Sequence, residues 1–384
     1  MSCFSKSFLR WMSTSSFKKF GTVAEAVQLP EEAIQTFRTT ENNPINHSTD
    51  HLSKFYTVPD QIQNKLFHYG GFPKEFQNQV KTFAETCILI RQPTVEILSY
   101  LRQADYSKSV NRYVLYGKPG VGKSLILAHI IHYGYMNNQI IIHIPWVSYW
   151  FRYPKEIAPS TTEGIFDLPL HAAAWLLHFK NQNDHLLSTL DLKISKEYVW
   201  NQRESMMAGT SILELVNFGI NRVKYACQVV TALIDEVKAA STAGKCSTLI
   251  AIDGFNAFYY DKTKIIVNHK TIPPSKISLT EAFKNAVKYD WCNGAVVLTL
   301  DKLASDPRVE SHLPRFLLGK DGFEHLDPFL PVSVENYTND EFSAVIEYYK
   351  NRKWIRDITS TGEKELQLKS VGNPYTLMQY CIPL

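Results

Sequence analysis

Five short apolar runs, set among longer stretches in which apolar positions recur every three or four residues, give the chain its rhythm. The runs are Arg112 to Tyr116, Gln139 to Ile144, Thr248 to Ile252, Ala295 to Leu300 and Phe329 to Val334. Each is apolar enough to be covered on both faces, as the strands of a parallel sheet are. The alternation of such runs with helical periods predicts an α/β fold with a parallel five-stranded sheet and crossover helices. Helical spacing begins near Phe76, continues over Pro93 to Leu101, follows the first strand from Leu125, and reappears at 168–180, 211–221, 223–240 and Glu341 to Lys350. A last short helical segment follows Gly372-Asn373-Pro374. About a hundred residues separate the second and third strands, so the sheet carries a large helical insertion over 146–245.

The expected division is a leader over 1–24, an N-terminal arm with leading helices over 25–105, a sheet domain over 106–335, and a C-terminal helical lid over 336–384. The leader follows from charge and pattern. Lys6, Arg10, Lys18 and Lys19 precede the first carboxylate, Glu25, and Phe4, Phe8 and Trp11 fall on one helical face of a Ser-rich stretch. An amphipathic, basic, acid-free start is the pattern of a mitochondrial transit peptide. Removing it takes away four of 41 Lys and Arg and none of 37 Asp and Glu, leaving the chain formally neutral. Bulk charge therefore nominates no nucleic-acid face, and any contact with RNA has to be local. An apolar content of 45% with 20 Tyr and 21 Phe excludes a disordered chain, and no apolar run approaches the roughly 20 residues a membrane-spanning helix needs. Six scattered cysteines without a C-x-x-C pair read as reduced thiols rather than a zinc site.

Chemistry concentrates at one place. Residues 117–124 read Gly117-Lys118-Pro119-Gly120-Val121-Gly122-Lys123-Ser124, the G-x-x-x-x-G-K-[ST] pattern, with a strand running in and a helix running out. In that setting the glycines let backbone amides turn inward around a phosphate, and the helix N-terminus adds its positive end. Lys123 supplies a point charge to the outer phosphates, and the Ser124 hydroxyl is placed to ligate Mg²⁺. Such a loop needs a second strand ending in a carboxylate to support the metal. Thr248 to Asp253 fits, which makes Asp253 the second metal residue. Thr299, near the end of the fourth run, is a candidate to face the nucleotide, with Asp301 just beyond it. Directly after Asp253, where many ATPases carry a glutamate that polarises water, this chain has Gly254, Phe255 and Asn256. Without a visible base, hydrolysis is expected to be slow, and no residue is named as catalytic. No N-K-x-D box reads guanine, so GTP or GDP with Mg²⁺ cannot be separated from ATP on the residues alone. His129 and His132, and the tryptophans at 146, 150, 175 and 200, read as packing residues.

Several segments outside the loop carry a resemblance. Arg112 to Gly117, Leu127 to His132, Ile142 to Pro145, Lys196 to Ser205, Ile250 to Ala257, Leu317 to Phe323 and Leu326 to Phe329 are similar to the death-associated protein 3 family, the P-loop proteins of the mitochondrial ribosomal small subunit. The resemblance runs from about residue 76 onward. It implies a P-loop NTPase fold of the AAA+ or STAND kind and a place in the head of that subunit near the subunit interface. It also implies bound guanine nucleotide, contact with ribosomal RNA and neighbouring ribosomal proteins, no membrane and no homo-oligomer, and an association with programmed cell death. The nucleotide acts there as structure more than as fuel. The competing expectation is a free AAA+- or STAND-like ATPase switch in the mitochondrial matrix, with Arg308 or Arg315 reaching a neighbouring subunit and the tail around Gly372-Asn373-Pro374 as a moving lid.

Overall fold

Five strands, β1 (Asn111–Tyr116), β2 (Gln139–Ile144), β3 (Ser247–Ile252), β4 (Gly294–Thr299) and β5 (Leu330–Ser333), form one sheet in the computed structural model. The structure describes residues 36–356 and 358–382, so the expected leader lies outside the described residues. All four pairings are parallel, in the order β5-β1-β4-β3-β2. Each strand lies within one or two residues of its expected position; β1 to β4 are buried along most of their length, as unbroken apolar runs announce, whereas the edge strand β5 leaves Leu330 and Pro331 exposed and is not covered on both faces as expected. The register sets Val297 of β4 opposite Tyr113 of β1 and Ala251 of β3, all three buried.

Thirteen α-helices surround the sheet among the described residues: α1 (Asp60–Phe67), α2 (Lys74–Phe83), α3 (Gln92–Gln103), α4 (Lys123–Met136), α5 (Ser148–Arg152), α6 (Pro169–Thr189), α7 (Ile212–Asn221), α8 (Ala226–Thr242), α9 (Ser278–Ala286), α10 (Pro314–Leu326), α11 (Asn339–Asn351), α12 (Ser360–Ser370) and α13 (Pro374–Cys381). Their starts follow local chemistry. Proline occupies the first turn of α3, α6, α10 and α13, where its missing N–H costs nothing. Thr338 and Glu341 form a reciprocal capping box at α11. Helix α6 extends well past the expected 180 because Asn183, buried on its inner face, donates to the Ile141 carbonyl and accepts from the Ile141 amide, tying the helix to β2.

The crossover directions create the site. Helix α4 packs on one face of the sheet with α3, through Ile126, Ile130 and Leu98. Helices α6 to α10 pack on the other, through Phe179, Leu233, Phe283 and Leu318. The connection leaving β1 therefore departs on one face and that leaving its neighbour β4 on the opposite face. A crevice opens between two such strands at their carboxyl ends, and ligands of open α/β sheets bind there. A third apolar cluster joins the strand pair Phe55–Thr57 and Cys87–Leu89 to α11 and α13, through Phe55, Leu89, Val345 and Leu377, and it stands beside that crevice.

Candidate nucleotide site

Residues 117–124 leave β1 at the crevice and turn into α4. Gly117 has φ +148°, and a Cβ there would come within 2.2 Å of the Val334 carbonyl oxygen. Gly120, at φ +81°, would meet Asn373 Oδ1 and Tyr375 Cβ at 2.8 Å. The glycines are thus demanded both by backbone conformation and by close neighbours. No acceptor bonds the amides of Gly120, Val121, Gly122, Lys123 or Ser124 among the described residues. Helix α4 starts at Gly122 with no side-chain cap and no carboxylate in its first turn. Consecutive unpaired amides at an uncapped helix start form a concave donor surface for an anion.

The charged and hydroxyl groups converge on the same spot. Lys123 Nζ lies 3.0 Å from the carbonyls of Gly117 and Lys118, and burial lowers its pKa while Asp253 and Asp301 work in the opposite direction. Asp253 leaves the end of β3; burial raises its pKa, against hydrogen bonds from Ser124 and Thr299. Thr299, fully buried at the end of β4, donates to Asp253 and accepts from the Gly254 amide at 2.9 Å. It therefore reaches the site through Asp253. The strand order explains the convergence, since β4 lies between β1 and β3 and brings Thr299 beside Asp253, which also accepts from Ser124. A hydroxyl and a carboxylate already bonded to each other, beside phosphate-directed amides, suit Mg²⁺, a hard cation that takes few protein ligands alongside phosphate and water. Among the described residues no cluster of three or more His, Cys, Asp or Glu offers a metal site made by the protein alone.

Several residues at the site escape a reading of the sequence. Arg91, nearly fully buried, donates to the Val121 carbonyl at 2.7 Å and to Glu335 O at 3.0 Å, and pairs with both carboxylate oxygens of Glu341 at 3.0 Å. The Tyr375 amide donates to Gly120 O at 3.1 Å, and Asn373 Nδ2 donates to Pro119 O at 3.0 Å. Residues 91, 341, 373 and 375 thus hold the outside of the loop, and no local pattern links positions so far apart. Trp146 is half-buried at the cavity wall rather than a core residue, donating to Asp301 Oδ2 at 3.0 Å. Trp150 and Trp175 are core, and Trp200 stacks between Tyr198 and Phe218. Asn256 is spent on structure: its amide donates to the carbonyls of Asp301 and Ala304, and its oxygen accepts from the Asp301 amide. His129 and His132 are buried as expected of packing residues, His129 against His47 at 2.8 Å.

The cavity at the loop measures about 410 Å³ and runs from Gly120, Lys123 and Asp253 into the apolar cluster between the strand pair and α11. Residues 88–380 match the model of the family described as mitochondrial ribosomal death-associated protein 3. This chain belongs to that family. Members with a similar sequence include the Bos taurus small ribosomal subunit protein mS29, 38% identical over 361 residues that cover 92% of this chain and 90% of the relative. The Mus musculus protein of the same name is 37% identical over 363 residues, covering 93% and 92%. A chain in the solved structure of the E. coli MS115-1 HORMA:CdnC:Trip13 complex covers 84% of this chain and 82% of its own at 11% identity, with a TM-score of 0.32, too slight a likeness to argue from. Within the death-associated protein 3 family match lie residues 117–124, Asp253, Thr299 and all five strands of the sheet.

Proposed function

We propose that this chain is a component of the small subunit of the mitochondrial ribosome, in the matrix, that holds a purine nucleotide with Mg²⁺ at Gly117 to Ser124 as part of its framework. The ribosomal half rests on family membership and on relatives named as small-subunit proteins across nearly their full length. Partners are then the subunit's ribosomal RNA and neighbouring proteins, and any part in programmed cell death is secondary. Among the described residues no helix is long and apolar enough to cross a membrane.

The nucleotide half is carried by one observation, the run of amides from Gly120 to Ser124 without acceptors at an uncapped helix start. The P-loop NTPase reading, of the AAA+ or STAND kind, draws on the same loop and on the switch between β1 and β4. GTP or GDP is the expected ligand. In it, Ser124 and Asp253 hold the metal and Lys123 the outer phosphates. Turnover is slow or absent, because Gly254 follows Asp253 and Asn256 has all its polar atoms committed. With no glutamate after Asp253 and with Asn256 committed elsewhere, the site is read as one that binds rather than burns its nucleotide. The loop is also tied from outside by Arg91, Asn373 and Tyr375, as suits a fixed framework.

Isolated mitochondrial small subunits, analysed by mass spectrometry for this chain and for bound nucleotide, test both halves together. Co-recovery of the chain with stoichiometric purine nucleotide is expected; subunits lacking the chain, or holding it without nucleotide, would refute the corresponding half. The competing reading, a free ATPase switch, draws on Arg315, which is exposed, and on Arg308, which among the described residues pairs with Asp306 two residues away. Rings with steady ATP turnover from the purified chain would favour it.

A further inference from the structure

The phosphate end of the cavity is polar, but its far lobe is not. Phe55, Phe76, Leu89, Val345 and Met378 wall it, contributed by the strand pair, α2, α11 and α13. Two polar side chains interrupt that wall, Glu75 and Gln79, spaced i and i+4 and therefore on one face of α2, one turn apart. Gln79 is only 6% exposed. Its Oε1 accepts from the Tyr349 hydroxyl at 3.3 Å, leaving Nε2 as the other polar atom of the side chain. Nε2 has no acceptor among the described residues, and Glu75 takes part in no hydrogen bond or ion pair there. Nε2 is not sealed from solvent, so it is open to the cavity and available to a ligand's acceptor. Beside it stands a carboxylate, which can only accept.

We propose that this lobe is the nucleobase compartment of the site and that Glu75 and Gln79 read the edge of a purine, resting on the reading of 117–124 as a nucleotide loop. Purine edges carry the complementary pair. Guanine offers N1–H and its 2-amino group to a carboxylate and O6 to an amide donor, while adenine offers its 6-amino group and N1. The flat apolar walls supply the contact area a base needs, and the two polar groups supply orientation, the usual division of labour in ligand pockets. Uracil and cytosine, with one ring, leave the compartment partly unfilled. Neither Glu75 nor Gln79 has the local motif that exposes a phosphate loop, which is why sequence alone left the base unassigned.

The test is equilibrium binding to the full chain, by calorimetry, of GDP, ADP, UDP and inorganic tripolyphosphate, each with Mg²⁺. For the unaltered chain, at least one purine diphosphate is expected to bind ten-fold or more tighter than UDP. Glu75→Gln and Gln79→Leu are each expected to weaken that purine diphosphate ten-fold or more while leaving tripolyphosphate unchanged. Retained tripolyphosphate binding also shows that the variant is folded with an intact loop, and Glu75→Gln, at a half-exposed position, guards against the case in which Gln79→Leu fails to fold. Equal affinity for purine and pyrimidine diphosphates, or unchanged purine affinity in Glu75→Gln, would overturn the assignment while the phosphate site stands. Failure of the unaltered chain to bind tripolyphosphate or any nucleotide would instead remove the phosphate site itself, and this inference with it.

Discussion

At the scale of single residues, Lys123 and Gly117 answer different questions. Lys123→Ala removes a charged donor aimed at phosphate, and hydrogen bonds to charged groups contribute about 1.5–3 kcal/mol. Nucleotide affinity should fall roughly 10- to 100-fold in equilibrium dialysis, with the melting temperature of the ligand-free chain little changed. Gly117→Ala should instead unfold the chain or lower its stability sharply, because a methyl group 2.2 Å from a backbone carbonyl cannot be accommodated by a side-chain rotation. Gly164 provides the control. It too has positive φ, but nothing lies within 4 Å of its Cβ position, so Gly164→Ala carries only the backbone cost of about 1 kcal/mol. Urea denaturation of the two variants should separate them clearly; similar midpoints would mean that the loop tolerates rearrangement. The loop was legible in the sequence because its glycines, lysine and serine are contiguous, although Val334, Asn373 and Tyr375, which crowd it, are far along the chain. Arg91 was not, since its partners Val121 and Glu341 lie 30 and 250 positions away.

Among elements, Arg91 ties the glycine loop to α11, through a bond to Val121 O and an ion pair with Glu341 that has almost no solvent. Removing one partner of such a pair strands the other charge, at a cost of about 3–5 kcal/mol, whereas replacing both with apolar groups is often far milder. Arg91→Met should therefore be markedly destabilising, and Arg91→Met with Glu341→Met less so than the sum of the single changes. Chemical denaturation of the four proteins reads the coupling, and strict additivity would show that the pair is not a unit. The strands could be placed from their apolar runs to within a residue or two. By contrast, the pair Phe55–Thr57 with Cys87–Leu89 is three residues on each side, too short for a periodic signal, and its place against α11 and α13 depends on contacts spanning most of the chain. That is why the arm and the tail could be listed from sequence but not joined across the cavity.

For the whole molecule, buried histidines set an acid limit. Burial pushes His132 and His178 down to about 3, and holds His129 and His143 well below the ordinary 6.5. All four stay neutral in the folded chain over a range where an unfolded chain binds protons. The unfolded state thus holds more protons below about 6.5, so stability rises with pH across the window from about 3 to about 6.5 and is lost as pH falls through it. Urea midpoints should drop steadily from pH 7 to pH 5, and His178→Gln, which keeps a polar group in that space, should flatten the slope; a pH-independent midpoint would contradict the burial of these rings.

The outer cover of the glycine loop is laid down late in time. Asn373 and Tyr375 close the loop from more than 250 positions downstream, so a ribosome making this chain, or a translocase threading it, delivers the grip long before its clasp. A nascent or half-imported chain therefore exposes the outer side of the glycine loop until the segment carrying Asn373 and Tyr375 arrives.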